Sequence, residues 1–149
     1  MNKLMSTDCL FCKIISKELS ANIVYEDELT LAFLDHRPLF HGHCLLVPKT
    51  HFETLTDLPL ELVRPLFENA QLIARALEVA MKAQGSFVAM NNRVSQSVPH
   101  LHVHIVPRNK GDGLKGFFWP RAKYADQTEM MKVQVNIKTQ LSLILNNSE

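Results

Sequence analysis

Apolar positions along the chain follow two periods, and the points where the period changes divide it into elements. Leu10, Phe11, Ile14 and Ile15 recur at helical spacing after Thr7 and Asp8, either of which suits an N-cap, so a short helix is predicted over about 8–17. Ile23-Val24-Tyr25 and Leu29-Thr30-Leu31-Ala32-Phe33-Leu34 flank Glu26-Asp27-Glu28, the pattern of a hairpin with an acidic tip. His43-Cys44-Leu45-Leu46-Val47 is an apolar run closed by Pro48, which predicts a third, largely buried strand.

After Asp57-Leu58-Pro59, the residues Leu62, Leu66, Ala70, Ile73, Leu77 and Ala80 share one helical face. A helix over about 59–84 follows, stopped by Gly85 and kinked or begun at Pro65. Phe87–Asn91 and Leu101–Pro107 supply two more strands, joined across the polar turn Asn92-Arg93-Val94-Ser95. Met130, Val133, Ile137, Leu141 and Ile144 then predict a C-terminal helix over about 126–146. The segment ahead of it, 109–125, holds a glycine cluster followed by Phe117-Phe118-Trp119-Pro120 and reads as a loop with an aromatic anchor. About five strands around one long helix make an α+β domain with a mainly antiparallel sheet.

Composition narrows the function classes. A chain of 149 residues suits one domain over 1–149. With 21% charged residues and a formal net charge of +1 it carries no broad basic face, so a nucleic-acid partner is not expected. Its apolar runs are far shorter than the roughly 20 residues a membrane span needs. The N-terminus lacks an apolar core of signal-peptide length, so a cytoplasmic location with reduced thiols is expected. Three cysteines cannot form a complete internal disulfide set, and Cys9-Leu10-Phe11-Cys12 reads as half of a metal site or as two buried thiols.

Chemistry concentrates in His100-Leu101-His102-Val103-His104-Ile105-Val106. In an extended strand alternate side chains share a face, so the three imidazoles line one side, with neighbours roughly 6.6 Å apart. Imidazole serves as nucleophile, acid, base or neutral ligand near neutrality. Two uses fit: His102 attacks phosphorus as a neutral ring oriented by a carbonyl, or two rings ligate a catalytic metal holding an activated water. Asn91-Asn92 and Gln96-Ser97 place amide and hydroxyl donors beside the row, which suits phosphate oxygens and a leaving group. The nearest acidic residue in sequence is Asp112, so a metal reading requires a carboxylate from farther away.

The segment Gln96-Ser97-Val98-Pro99-His100-Leu101-His102-Val103-His104-Ile105-Val106-Pro107-Arg108 resembles the signature of the histidine-triad (HIT) family of nucleotide hydrolases and transferases. Cys9-Leu10-Phe11-Cys12-Lys13-Ile14-Ile15 resembles the family's first helix, Leu31–Asp35 its ribose-contacting strand, and His43–His51 its third strand. The resemblance implies a HIT-like fold whose core spans 8–108, with 109–125 near the substrate. It implies His102 as the nucleophile that forms a nucleotidyl-histidine at the α-phosphate, His104 assisting at phosphate and leaving group, and His100 orienting His102 through its carbonyl. Ser97 stands for the hydroxyl beside the leaving group, Gln96 and Asn91 for phosphate and substrate contacts, and Asp35 for the ribose carboxylate. Phe11, Ile14, Phe33 and Leu34 correspond to the slot for the base, His43 lies near the nucleotide, and Trp119, with Phe118, stacks near the site or reaches a partner subunit.

The third histidine, absent from the related sugar-phosphate uridylyltransferases, points to hydrolysis; the resemblance further implies a purine nucleotide conjugate, a dinucleoside polyphosphate or nucleoside phosphoramidate, as substrate and a homodimer as the assembly. The family's usual glycine is replaced around Arg93-Val94-Ser95, so the leaving-group side differs. Arg93, Arg108, Lys110, Arg121 and Lys123 are cations that could neutralise a longer polyphosphate. In zinc-bound relatives the metal is held at positions matching Cys9, Cys12, His51 and His100, a structural role that catalysis does not require. A nucleotide-binding module with marginal turnover and a metal-dependent hydrolase are the alternative functions.

Overall fold

The structure is a computed structural model that describes residues 8–114 and 122–147. It divides into two units, Met1–Asp112 and Gly113–Glu149, each taken here by itself. The first holds α1 (Leu10–Ile15), β1 (Ile23–Glu26), β2 (Thr30–Leu34), β3 (Cys44–Pro48), α2 (Leu60–Ala80), β4 (Gly85–Ala89) and β5 (Val103–Arg108), with a single 3₁₀ turn at Leu55–Asp57. The strands form one five-stranded sheet in the order β1-β2-β3-β5-β4, every pair antiparallel.

Strand periodicity gives the sheet two different faces. Ala32, Cys44, Leu46, Val103 and Ile105 pack with Leu66, Ala70, Ile73 and Leu77 of α2. Residues of the opposite parity, Leu31, Phe33, Leu45 and Val47, pack with Phe11, Cys12 and Ile14 of α1. The central strand β3 is buried along its whole length, as its unbroken apolar run requires. Because Leu45 lies opposite His104 across the β3–β5 ladder, the imidazoles share the side covered by α1.

Four boundaries differ from expectation. Cys9, rather than Thr7 or Asp8, caps α1, its Sγ accepting the Cys12 N–H at 3.4 Å. Helix α2 tolerates Pro65 in its interior and ends at Ala80. Lys82 supplies the left-handed stop with φ 52°, because Gly85 is taken by its pairing with Arg108 at the start of β4. That pairing also moves β4 ahead of the predicted Phe87–Asn91. Strand β5 begins only at Val103, since the Leu101 N–H is donated to the Phe52 carbonyl at 2.6 Å instead of to the ladder.

The predicted acidic tip is a fold element. Asp27 Oδ1 accepts the N–H groups of Leu29 and Thr30 at 2.9 and 2.7 Å. Its Oδ2 accepts from Asn69 of α2 at 2.6 Å, and Asn69 also donates to Thr30 Oγ1 at 2.9 Å. Burial raises the Asp27 carboxyl, but these donors outweigh it and hold the group below its usual pKa. Asn69→Ala removes both bridges between α2 and the hairpin, so a loss of about 2–3 kcal/mol is expected in urea unfolding, with the slope of the transition unchanged.

The second unit contains α3 (Gln127–Asn146), capped by Asp126, whose Oδ1 accepts the Glu129 N–H at 2.8 Å. The predicted stripe is present, and Met130, Val133, Ile137, Leu141 and Ile144 are all exposed. Among the described residues no helix is long and apolar enough to cross a membrane.

Candidate active site

Hydrogen-bond partners determine which nitrogen of each ring carries the proton. The His100 carbonyl can only accept, and His102 Nδ1 lies 2.7 Å from it. His102 therefore keeps its proton on Nδ1 and its lone pair on Nε2. At the neighbouring ring the order is reversed. The Leu39 N–H donates to His43 Nδ1 at 3.1 Å, which leaves the neutral His43 proton on Nε2, 2.9 Å from His104 Nδ1. His104 accepts there, so its own proton sits on Nε2. The rings of His102 and His104 lie edge to face with centroids 4.9 Å apart. A bare nitrogen thus stands beside an N–H donor.

The surroundings keep these rings neutral. Burial lowers the pKa of His102, and burial together with the nearby His102 and His43 rings brings His104 down to about 4. His43 is also lowered by burial, against the pull of Asp35, whose Oδ2 is 3.6 Å from His43 Nδ1. An ordinary histidine charges as the pH falls through about 6.5. Here the folded-state values lie lower, so the neutral pair persists below that point. The acid limb of kcat/KM is expected below pH 6.5. Folding stability falls in the same window, because the unfolded chain takes up protons first. A pH–rate profile with its acid inflection at or above 6.5 contradicts this arrangement.

A cavity of about 410 Å³ opens beside the pair. Its walls include Phe11, Ile14, Phe33, Leu34, Asp35, Ser97, His102 and His104, which brings together the predicted base slot, carboxylate, hydroxyl and catalytic rings. Leu10, Leu19, Ala21, Asn22, Leu45 and Val98 also line it, and nothing in their local sequence marks them. Phe11 sets its ring edge-on to His102, 5.1 Å between centroids, so α1 supports the His102 ring as well as the pocket.

Other predicted contacts fall elsewhere. Gln96 donates to the Glu53 carbonyl at 2.6 Å and accepts the Arg93 N–H at 2.8 Å, while Asn91 donates to the Ser95 carbonyl at 3.1 Å. Neither amide lines the cavity; both shape the loop ahead of Ser97, where Arg93 and Ser95 adopt φ 67° and 58°. Arg108 is paired with Asp112 through two hydrogen bonds of 2.6 and 3.0 Å, which removes it from the expected set of polyphosphate cations. Trp119, Phe118 and Arg121 lie outside the described residues. His43, expected near the nucleotide, is the partner of His104; its strand parity is visible in the chain, but the adjacency of β3 and β5 is not.

The candidate metal ligands also converge. Cys9 Sγ and Cys12 Sγ lie 3.4 and 3.6 Å from His100 Nδ1, and Cys12 Sγ lies 3.4 Å from His51 Nδ1. All four residues are buried, and their ligand atoms lie within 4.8 Å of one another. His100 Nε2 is 2.8 Å from the Pro48 carbonyl and must donate to it, so the Nδ1 lone pair is aimed at the two sulfurs. Two thiols and two imidazoles in this disposition fit a tetrahedral zinc ion. Asp35, His43 and His104 form a second cluster. There the Leu39 N–H on His43 Nδ1 favours a hydrogen bond between the two rings over a shared ion.

Comparison with known proteins agrees with this geometry. A HIT domain is matched over residues 16–111. The chain is 43% identical to the protein hit of Bacillus subtilis over 115 residues, covering 75% of this chain and 79% of that protein. It is 36% identical to adenosine 5'-monophosphoramidase HNT1 of Saccharomyces cerevisiae over 129 residues, 84% of this chain and 75% of the yeast protein. Among solved structures, a Streptococcus mutans UA159 protein superposes with a TM-score of 0.83 at 36% identity, covering 91% of this chain and 87% of that one. A zinc-bound histidine triad family protein from Mycobacterium smegmatis superposes with a TM-score of 0.69 at 37% identity, covering 92% and 97%. The row of imidazoles, the sheet that carries it and the matched domain place this chain in the histidine-triad family.

Proposed function

We propose that this histidine-triad hydrolase cleaves the P–N or P–O bond at the α-phosphate of a purine nucleotide conjugate, a nucleoside phosphoramidate or a dinucleoside polyphosphate. The observation that carries the reading is the pair of opposite tautomers at the cavity wall: a lone pair on His102 Nε2 beside an N–H on His104 Nε2. His102 attacks phosphorus, an N–P bond forms, and the bond to the leaving group breaks with its electron pair. Water then attacks the nucleotidyl-histidine, releases the monophosphate and restores the ring. His104 donates to a phosphoryl oxygen or to the leaving atom, and Ser97 stands on the same wall.

Asp35 accepts from the ribose hydroxyls, and Phe11, Ile14, Phe33 and Leu34 hold the base. Cys9, Cys12, His51 and His100 hold a zinc ion that ties α1 to the sheet and fixes the carbonyl on which His102 rests. No step of the hydrolysis passes through that ion. The enzyme works as a cytoplasmic homodimer without a nucleic-acid partner.

Incubation with adenosine phosphoramidate and with diadenosine tetraphosphate, followed by rapid quenching and intact-protein mass measurement, tests the reading. Turnover with a transient gain of one nucleotidyl group is expected. Nucleotide binding without adduct or turnover makes the protein a binding module instead, and turnover abolished by chelation in protein that stays folded makes it a metal-dependent hydrolase.

A further inference from the structure

We infer that Cys9 and Cys12 form a peroxide-responsive dithiol whose oxidation to a disulfide expels the ion held by the Cys/His quartet. Three observations carry this. The sulfurs belong to a C-x-x-C pair in which Cys9 is the cap of α1 and Cys12 lies in its first turn, the spacing of redox-active dithiols. Both approach one nitrogen, His100 Nδ1, at 3.4 and 3.6 Å, so they face each other across the quartet. A second cleft of about 380 Å³ leads to Cys9, lined also by Asp8, His51, Glu53, Ser97 and Pro99 among others.

Cys9 borders that cleft and Cys12 does not. This asymmetry separates an attacking sulfur from a resolving one. Hydrogen peroxide reaches Cys9 first: its thiolate displaces water from the peroxide, with uptake of one proton, and becomes a sulfenic acid. The Cys12 thiolate then attacks that sulfur, the S–O bond breaks, and the departing hydroxide takes up a second proton. The two sulfurs lose two electrons, the peroxide gains two and leaves as two waters, and the ion loses both thiolate ligands. Two imidazoles alone do not hold it.

The third thiol is an internal control. Cys44 packs in the cluster on the other face of the sheet, donates to the Gly42 carbonyl at 3.3 Å, and is pushed by burial to a pKa of about 11. It remains a thiol and does not react under the same conditions.

The experiment uses the full chain loaded with Zn²⁺ and freed of excess metal, treated with a small molar excess of hydrogen peroxide. Zinc release is followed with a chromophoric chelator, and peptide masses are taken after alkylation. The expected result is release of one zinc per chain in step with the loss of two hydrogens from the peptide holding Cys9 and Cys12, with Cys44 alkylated in full. Dithiothreitol and fresh Zn²⁺ restore the starting state. In Cys12→Ser, Cys9 gains oxygen and forms no internal disulfide; if that variant does not fold, the wild-type measurements decide alone. Zinc retained after the thiols are oxidised, oxygen addition without a disulfide in the wild type, or a chain that takes up no Zn²⁺ overturns the inference. None of these readouts depends on turnover, so they stand or fall separately from the proposed hydrolysis.

Discussion

Replacing His102 with alanine lowers turnover of an adenosine phosphoramidate by at least about 10⁴-fold and removes the nucleotidyl adduct from quenched protein. The size of the effect follows from the position of the ring. Its Nδ1 proton is held by the His100 carbonyl at 2.7 Å, and the remaining nitrogen is the bare one at the cavity wall. No neighbour can take over, because His104 presents a proton where His102 presents a lone pair. His104→Ala removes a donor and leaves the bare nitrogen of His102 in place, so a smaller loss of about 10²–10³-fold is expected, with the adduct still formed. The far-ultraviolet circular dichroism of both variants should match the parent. Turnover undiminished in His102→Ala assigns the chemistry to another group.

Loading with zinc raises the thermal midpoint by about 10 °C over protein stripped by a chelator. A ligand that binds only the folded chain at about 1,000 times its dissociation constant stabilises by about 4 kcal/mol, and a chain of this length gains roughly 2–4 °C per kcal/mol. The quartet joins α1, through Cys9 and Cys12, to His51 and His100 beyond the ends of the sheet strands. Without the ion that helix of six residues keeps its apolar contacts and the weaker thiol–imidazole contacts to His51 and His100. The stripped protein, assayed at low temperature, should still hydrolyse its substrate. Equal midpoints for loaded and stripped protein count against a structural ion at this place.

The chain announces some of this directly and hides the rest for physical reasons. The apolar run of β3 and the i, i+4 face of α2 are legible because burial imposes a period on side chains within one element. Boundaries are less so. Gly85 looks like a helix stop, yet it pairs with Arg108 and leaves Lys82 to turn the chain. Gln96 and Asn91 look like phosphate donors by proximity to the histidine row. Their amides meet the carbonyls of Glu53 and Ser95, because a loop with two left-handed residues needs hydrogen bonds, within itself and to the neighbouring segment at Glu53, to hold its shape.

What the sequence by itself determined is the chemistry on offer: three imidazoles at alternating positions, a C-x-x-C pair, a lone Asp after an apolar strand, and an α+β order of elements. Each is a property of spacing within a few residues. What only the tertiary structure decided is which nitrogen does what. The tautomers of His102 and His104 depend on the His100 carbonyl and on His43, and His43 reaches His104 only because β3 lies next to β5 in the sheet. Local periodicity sets the faces of a strand, whereas contacts between residues 61 positions apart are set by the packing of whole elements.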